Sequence, residues 1–181
     1  MPATHVALLR GINVGRAKRV AMADLRAMLE GLGYGEVRTL LNSGNAVFTV
    51  PRAARGDPAK RIEQGLVDEL GVSARVTVLK ASELGEIAGK NPLANVATDP
   101  SRLLVAVLRD PDDRQRLTAL AREDWSPDSL ALGKRAAYLW CSQGILKSRL
   151  GEAFVSGLGD AVTTRNWTTV QKLHALCAGV G

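Results

Sequence analysis

The residues best suited to chemistry lie in the stretch ALLRGINVGRAKRV, residues 7 to 20, where Arg10, Arg16, Lys18 and Arg19 share one loop with Gly11, Asn13 and Gly15. Glycine and asparagine tolerate left-handed backbone and open main-chain amides toward a ligand, while cations and a helix start near Ala21 add positive potential. Amides, a helix dipole and guanidinium groups at one place suit a phosphate or a carboxylate. A second cluster, Asn42, Ser43, Gly44 and Asn45, sits between two apolar runs. A third is TTRNWTTVQKL, Thr163 to Leu173, in which Arg165 and Trp167 form a candidate clamp of one guanidinium and one stacking ring, with Asn166 between them.

Each cluster has an architectural reading as well. Gly11, Gly15 and Gly44 serve turns that need positive φ, and Asn13, Asn42 and Asn45 serve as side chains that bond nearby backbone. Asn166 is placed to cap the last helix, with Thr169 three residues on answering it, and Trp167 is then a buried ring. The Gly11 loop is no P-loop, because no Lys-Ser or Lys-Thr pair follows a G-x-x-x-x-G spacing, and it is no Rossmann fingerprint. Ser43 stands in N-S-G-N rather than G-x-S-x-G, no histidine is ordered to serve as its base, and neither cluster carries a carboxylate. Catalysis here would rest on positioning and on Arg and Lys stabilising charge, with a metal brought by the substrate. No resident cofactor is implied.

The elements that must position these residues follow from periodicity. Val6–Leu9 is a strand. Met22, Leu25, Met28, Leu29 and Leu32 mark a helix from Met22 to Gly33. Val37–Leu41 and Ala46–Val50 form a hairpin around Asn42–Asn45, Ala59–Leu70 is a helix and Ala74–Leu79 a strand. Ser82–Gly89 is a short helix before a run rich in Pro, Asn and Asp. The same order then recurs: strand Leu103–Leu108, helix Asp112–Arg122, hairpin Ser129–Leu132 with Ala136–Cys141, helix Leu146–Leu158 and strand Ala161–Thr164. A last helix, Trp167–Cys177, follows.

This pattern predicts an α+β fold of two tandem ferredoxin-like (alpha-beta plait) βαββαβ units plus a C-terminal helix: residues 1–80, a linker with a short helix at 81–101, and residues 102–181. In this topology the first strand's exit and the first hairpin's turn lie at the same end, so the Gly11–Arg19 loop and the Asn42–Asn45 turn are expected to meet. The first and fifth strands are apolar on both faces, which implies that the faces away from the helices are covered, by each other or by a second chain.

The chain has 181 residues, 46% of them hydrophobic, and Lys plus Arg outnumber Asp plus Glu by 24 to 18, giving +6 and a pI near 9.7. Such a balance favours anionic partners. Cys141 and Cys177 stand far apart in no metal-binding or disulfide pattern, and His5 and His174 are isolated, so neither a zinc site nor a disulfide framework is expected. No secretory leader or membrane-length apolar run is evident, so the chain reads as cytoplasmic, without membrane contact, and as a monomer or homodimer. Sheet-face RNA binding is disfavoured: the third strand, NAVFTV, holds only Phe48 where an RNA-recognition motif needs stacking aromatics, and aromatics total 4%.

VALLRGINVG, MADLRAMLEGLG, LNSGNAVF, NPLA at Asn91–Ala94 and TTRNWTTVQKL resemble the bacterial domain of unknown function 1697 family over nearly the whole chain. The resemblance implies two packed ferredoxin-like units and no established activity. Where the family commonly has glycine or a small polar residue after Gly15, this chain has Arg16 and Ala17, which adds charge to the loop. The function expected is binding of an anionic or phosphorylated ligand, nucleotide and nucleic acid included, at Gly11–Arg19 and Asn42–Asn45. The alternatives are an enzyme acting on a phosphorylated small molecule through Arg10, Lys18 and Ser43, and a structural or protein-interaction module.

Overall fold

The computed structural model describes residues 1–179, so the last two residues of the expected second unit, 180 and 181, lie outside the described residues. The elements run β1 (Ala3–Leu9), α1 (Met22–Gly31), β2 (Gly35–Leu40), β3 (Asn45–Val50), α2 (Pro58–Leu70), β4 (Val76–Lys80), α3 (Ala81–Gly89), β5 (Leu103–Leu108), α4 (Arg114–Ala121), β6 (Ser129–Leu132), β7 (Ala136–Trp140), α5 (Arg149–Leu158), β8 (Val162–Asn166) and α6 (Trp167–Ala178). The result is a mixed α+β chain with two four-stranded antiparallel sheets, ordered β2-β3-β1-β4 and β6-β7-β5-β8. Two compact units divide it: residues Met1–Leu84 with those from Leu173 on, and Gly85–Lys172. α3 and α6 thus each span a boundary.

In the first unit, Leu25, Met28 and Leu29 of α1 and Ile62 and Leu66 of α2 recur at helical spacing and bury against Leu9, Phe48 and Val76 of the sheet. α2 begins where Asp57 accepts a bond from the Ala59 amide and Pro58 fills a position that needs no donor; left-handed Gly71 ends it. In the second unit, Leu117 of α4 and Leu150, Phe154 and Leu158 of α5 cover Leu104, Ala106 and Leu108 of β5. Both faces of β1 from Val6 to Leu9 and of all of β5 are buried.

Several boundaries differ from expectation: β1 begins three residues earlier, at Ala3, α1 ends at Gly31 and β4 runs Val76–Lys80, and four others shift for local reasons. Asp110 accepts from the Asp112 amide and starts a single 3-10 turn at Pro111–Asp113, so α4 proper opens only at Arg114. Ser148 is extended (φ −99°, ψ 120°) and its Oγ accepts from the Gly151 amide, which separates a 3-10 turn at Ile145–Lys147 from α5. β2 begins early, at Gly35, which pairs with Thr49 beyond an irregularity: Glu36 is left-handed (φ 48°) and the register with β3 shifts between Gly35 and Arg38. β8 extends to Asn166, ending where that residue caps α6.

Candidate functional site

The loop after β1 and the hairpin turn between β2 and β3 meet. Asn13 joins them: its Nδ2 donates to the Val20 carbonyl (2.8 Å) and to the Asn42 carbonyl (2.7 Å), while its Oδ1 accepts from the Val20 amide (2.8 Å). The Asn13 amide donates to the Lys18 carbonyl at 3.0 Å, and Val14 and Ala17 form a bridge across the tip. Ile12 and Val20, 3% and 4% exposed, anchor both ends of the loop in the core. Four residues, Gly11, Asn13, Gly15 and Lys18, hold positive φ, two of them without glycine's freedom.

The turn is tied as firmly. The Leu9 amide donates to the Gly44 carbonyl at 2.8 Å. Gly44 has φ +88°, and a Cβ there would lie 2.7 Å from Leu9 Cβ and 2.9 Å from Ile12 Cδ1, so only glycine fits beside the loop. Asn45 is wholly buried, and its Nδ2 donates to the Leu40 carbonyl (2.8 Å) and to Ser43 Oγ (2.9 Å). The buried carboxamide thereby braces the turn from inside. Asn42 and Ser43 are exposed.

The charged side chains that the loop presents outward are all positive, and Val14 is exposed beside them. Arg16, Lys18 and Arg19 are exposed and Arg10 is half-buried. One cation was not legible as part of this set: Arg75, exposed, whose carbonyl accepts from the Arg10 amide at 2.9 Å and whose guanidinium lies 3.9 Å from Glu63. Nothing local in the sequence marks Arg75; its place follows from β1 pairing with β4, Leu9 opposite Val76. Ile12 and Val20, by contrast, are signalled as apolar residues inside a polar loop.

Arg165, Asn166 and Trp167 belong to the second unit. Asn166 Oδ1 accepts from the Thr169 amide at 2.9 Å, capping α6. Arg165 is half-buried, its guanidinium donates to the Thr164 carbonyl at 3.0 Å, and burial pushes its pKa down to about 10, which leaves it charged at neutral pH. Trp167 lines a cavity of about 390 Å³ of which Arg165 forms no wall. Among the described residues no three His, Cys, Asp or Glu side chains are grouped to hold a metal ion, and no helix is long and apolar enough to cross a membrane.

A side-chain clamp that sequence reading missed lies in the second unit. Asp128 Oδ1 accepts from Ser142 N and Oγ (both 2.9 Å), and Oδ2 accepts from Ser148 Oγ (2.7 Å). Burial would raise the Asp128 carboxyl, but the bonds from Ser148 and Ser142 outweigh it and hold it below the usual carboxylate range.

The sequence from residue 3 to residue 138 matches the model of a family described as protein of unknown function, DUF1697. The chain belongs to that family. The matched residues of this DUF1697 chain include the Gly11 loop, the Asn42–Asn45 turn and Asn91–Ala94, and end before Thr163. Its fold is shared with the conserved bacterial protein SP0830 from Streptococcus pneumoniae, at 21% sequence identity and a TM-score of 0.80, over 98% of this chain and 99% of that one. No curated protein matches it.

Proposed function

We propose that this DUF1697 chain binds a phosphate-bearing or otherwise anionic ligand on the outer surface of the Arg10–Arg19 loop and the Asn42–Asn45 turn, in the cytoplasm. Arg16, Lys18 and Arg19 supply charge, and the amides near Gly15 supply donors. The observation that carries the reading is the left-handed backbone at Asn13 and Lys18, held by the Asn13 clamp in a loop whose exposed charged side chains are all cationic. Asparagine tolerates this backbone, but at Lys18 it costs about 1 to 3 kcal/mol, and strain of this kind gathers where a site needs fixed geometry. The strand order of each sheet supports reading the two units as ferredoxin-like repeats, in which this loop and turn share one end of the first sheet.

A second reading has an observation of its own. The carboxamides of Asn13 and Asn45 are spent on backbone and on Ser43, which favours a loop that is architecture within a protein-interaction module. Thermal unfolding with inorganic phosphate, pyrophosphate, sugar phosphates, nucleotides and short oligonucleotides separates the two. A ligand at about 100 times its Kd stabilises by about 2.7 kcal/mol, several degrees for a chain of this size. The shift given by inorganic phosphate, pyrophosphate or a sugar phosphate should vanish in an Arg16→Gln/Lys18→Asn/Arg19→Gln variant that melts as the wild type does. If no anion shifts the wild type, the second reading stands.

A further inference from the structure

Two motifs that the loop site leaves unused, Asn91–Ala94 and Thr163–Leu173, come together around the 390 Å³ cavity of the second unit. Leu103, at the start of β5, forms part of its wall, and small residues such as Ala94 and Ala97 leave the space open. Trp167 and Gln171 stand one turn apart on the same face of α6. The Asn166 cap fixes the helix start that carries both. The Trp167 ring is tilted against Tyr138, with centroids 6.4 Å apart. The Tyr138 hydroxyl donates to the Ile87 carbonyl of α3 at 2.8 Å. Tyr138 thereby ties Trp167 to the helix that brings Ala88 and Gly89 to the opposite wall, and it acts as a positioning residue.

The lining holds no charged side chain. A phosphate or a cation would find no counter-charge there. An aromatic face and two carboxamides remain, those of Asn91 and Gln171. Asn91 Oδ1 accepts from the Leu93 amide at 2.9 Å, which fixes the carboxamide, and its Nδ2 is a donor. A ring to stack on and carboxamides to read an edge are the groups that recognise a planar base. The volume falls within the range of small-molecule sites. We propose that this cavity binds an uncharged, planar nitrogen heterocycle of nucleobase size, stacked on Trp167 and read at its edge by Asn91 and Gln171.

The test is isothermal titration of the full chain with adenosine, guanosine, cytidine and uridine, with ribose as the non-aromatic control. At least one nucleoside should bind and ribose should not. Trp167→Phe should keep affinity within about threefold, and Trp167→Ala should lose about tenfold or more, as removal of a stacking ring does. Ala94→Leu fills the cavity from an exposed position, so it should fold normally and also lose about tenfold; it decides the matter if Trp167→Ala does not fold. The Arg16→Gln/Lys18→Asn/Arg19→Gln variant should bind nucleosides like the wild type, since this proposal does not rest on the loop. Absence of binding by all four nucleosides, or binding that survives Ala94→Leu, overturns it.

Discussion

The two units end their first strands with the same hydrogen bonds and then part ways. Leu9 and Leu108 each donate to the hairpin turn, at Gly44 (2.8 Å) and Arg135 (2.9 Å), and Arg10 and Arg109 each donate to the residue just before the neighbouring strand, Arg75 before β4 and Ala161 before β8 (both 2.9 Å). In the second unit the chain passes directly into the 3-10 turn at Pro111. There the Arg135 guanidinium covers the exit, donating to the Leu108 and Arg109 carbonyls (both 3.2 Å). In the first unit the position of Arg135 is taken by Gly44, because Ile12 of the long loop occupies the space a side chain would need. The topology therefore does not require the Gly11–Arg19 loop. It is an addition that the first unit accommodates at the cost of a glycine at Gly44 and one strained residue, Lys18.

That contrast fixes where substitutions should hurt. Gly44→Ala adds a Cβ against Leu9 and Ile12 at a φ of +88° and should lower stability by about 3 kcal/mol, whereas Arg135→Ala should cost about 1 kcal/mol. Urea unfolding of both variants measures this, and equal losses would break the comparison. Next in size, Asn13→Gly keeps the left-handed φ while removing the carboxamide bonds to Val20 and Asn42. A loss of about 2 kcal/mol is expected, with hydrogen exchange quickened from Gly11 to Val20 and unchanged in β5 to β8.

The second unit's own clamp is ionised, and this sharpens the difference. Asp128 titrates lower in the folded chain than unfolded, so its contribution is complete above the unfolded carboxylate value of about 3.9 and is lost as pH falls through the lower folded value. Asn13 has no such dependence. Acid should therefore loosen the hydrogen-exchange protection of Ser142 and Gly151 before that of Val20, and Asp128→Asn should cost about 1 kcal/mol at neutral pH while removing this part of the acid sensitivity. Smallest of all, Lys18→Asn tolerates the left-handed φ and removes the charge, so stability should stay within about 0.5 kcal/mol. Lys18→Val, a β-branched residue at φ 50°, should cost clearly more, and calorimetry of the pair separates the residue's charge from its backbone.

Much of this was legible locally. Element order, the helical stripes of α1 and α2, the hairpin at Asn42–Asn45 and the Asn166 cap all follow from patterns a few residues long. The pattern of β1 and β5, apolar at successive positions, likewise announced strands buried on both faces. What stayed hidden depends on partners distant in sequence. Asn13 reads as a turn residue until Asn42 is beside it. Arg75 is one residue of an expected strand until the pairing of β4 with β1 sets it beside Arg10. Asn91 and Trp167 each have a local explanation, a turn and a helix start, and only packing within the second unit puts them around one cavity. Asp128 gave no signal because its three donors come from Ser142 and Ser148.

The Asn13 clamp closes the loop at its neck: one side chain grips Val20 through both its amide and its carbonyl. Everything from Val14 to Arg19 hangs outside that ring, with Ile12 and Val20 already seated in the core. The segment therefore resembles a tab fastened at its base: a change of charge at Arg16 or Arg19 should leave β1 and α1 undisturbed, whereas Lys18, left-handed and bonded through its carbonyl to the Asn13 amide, belongs to the fastening.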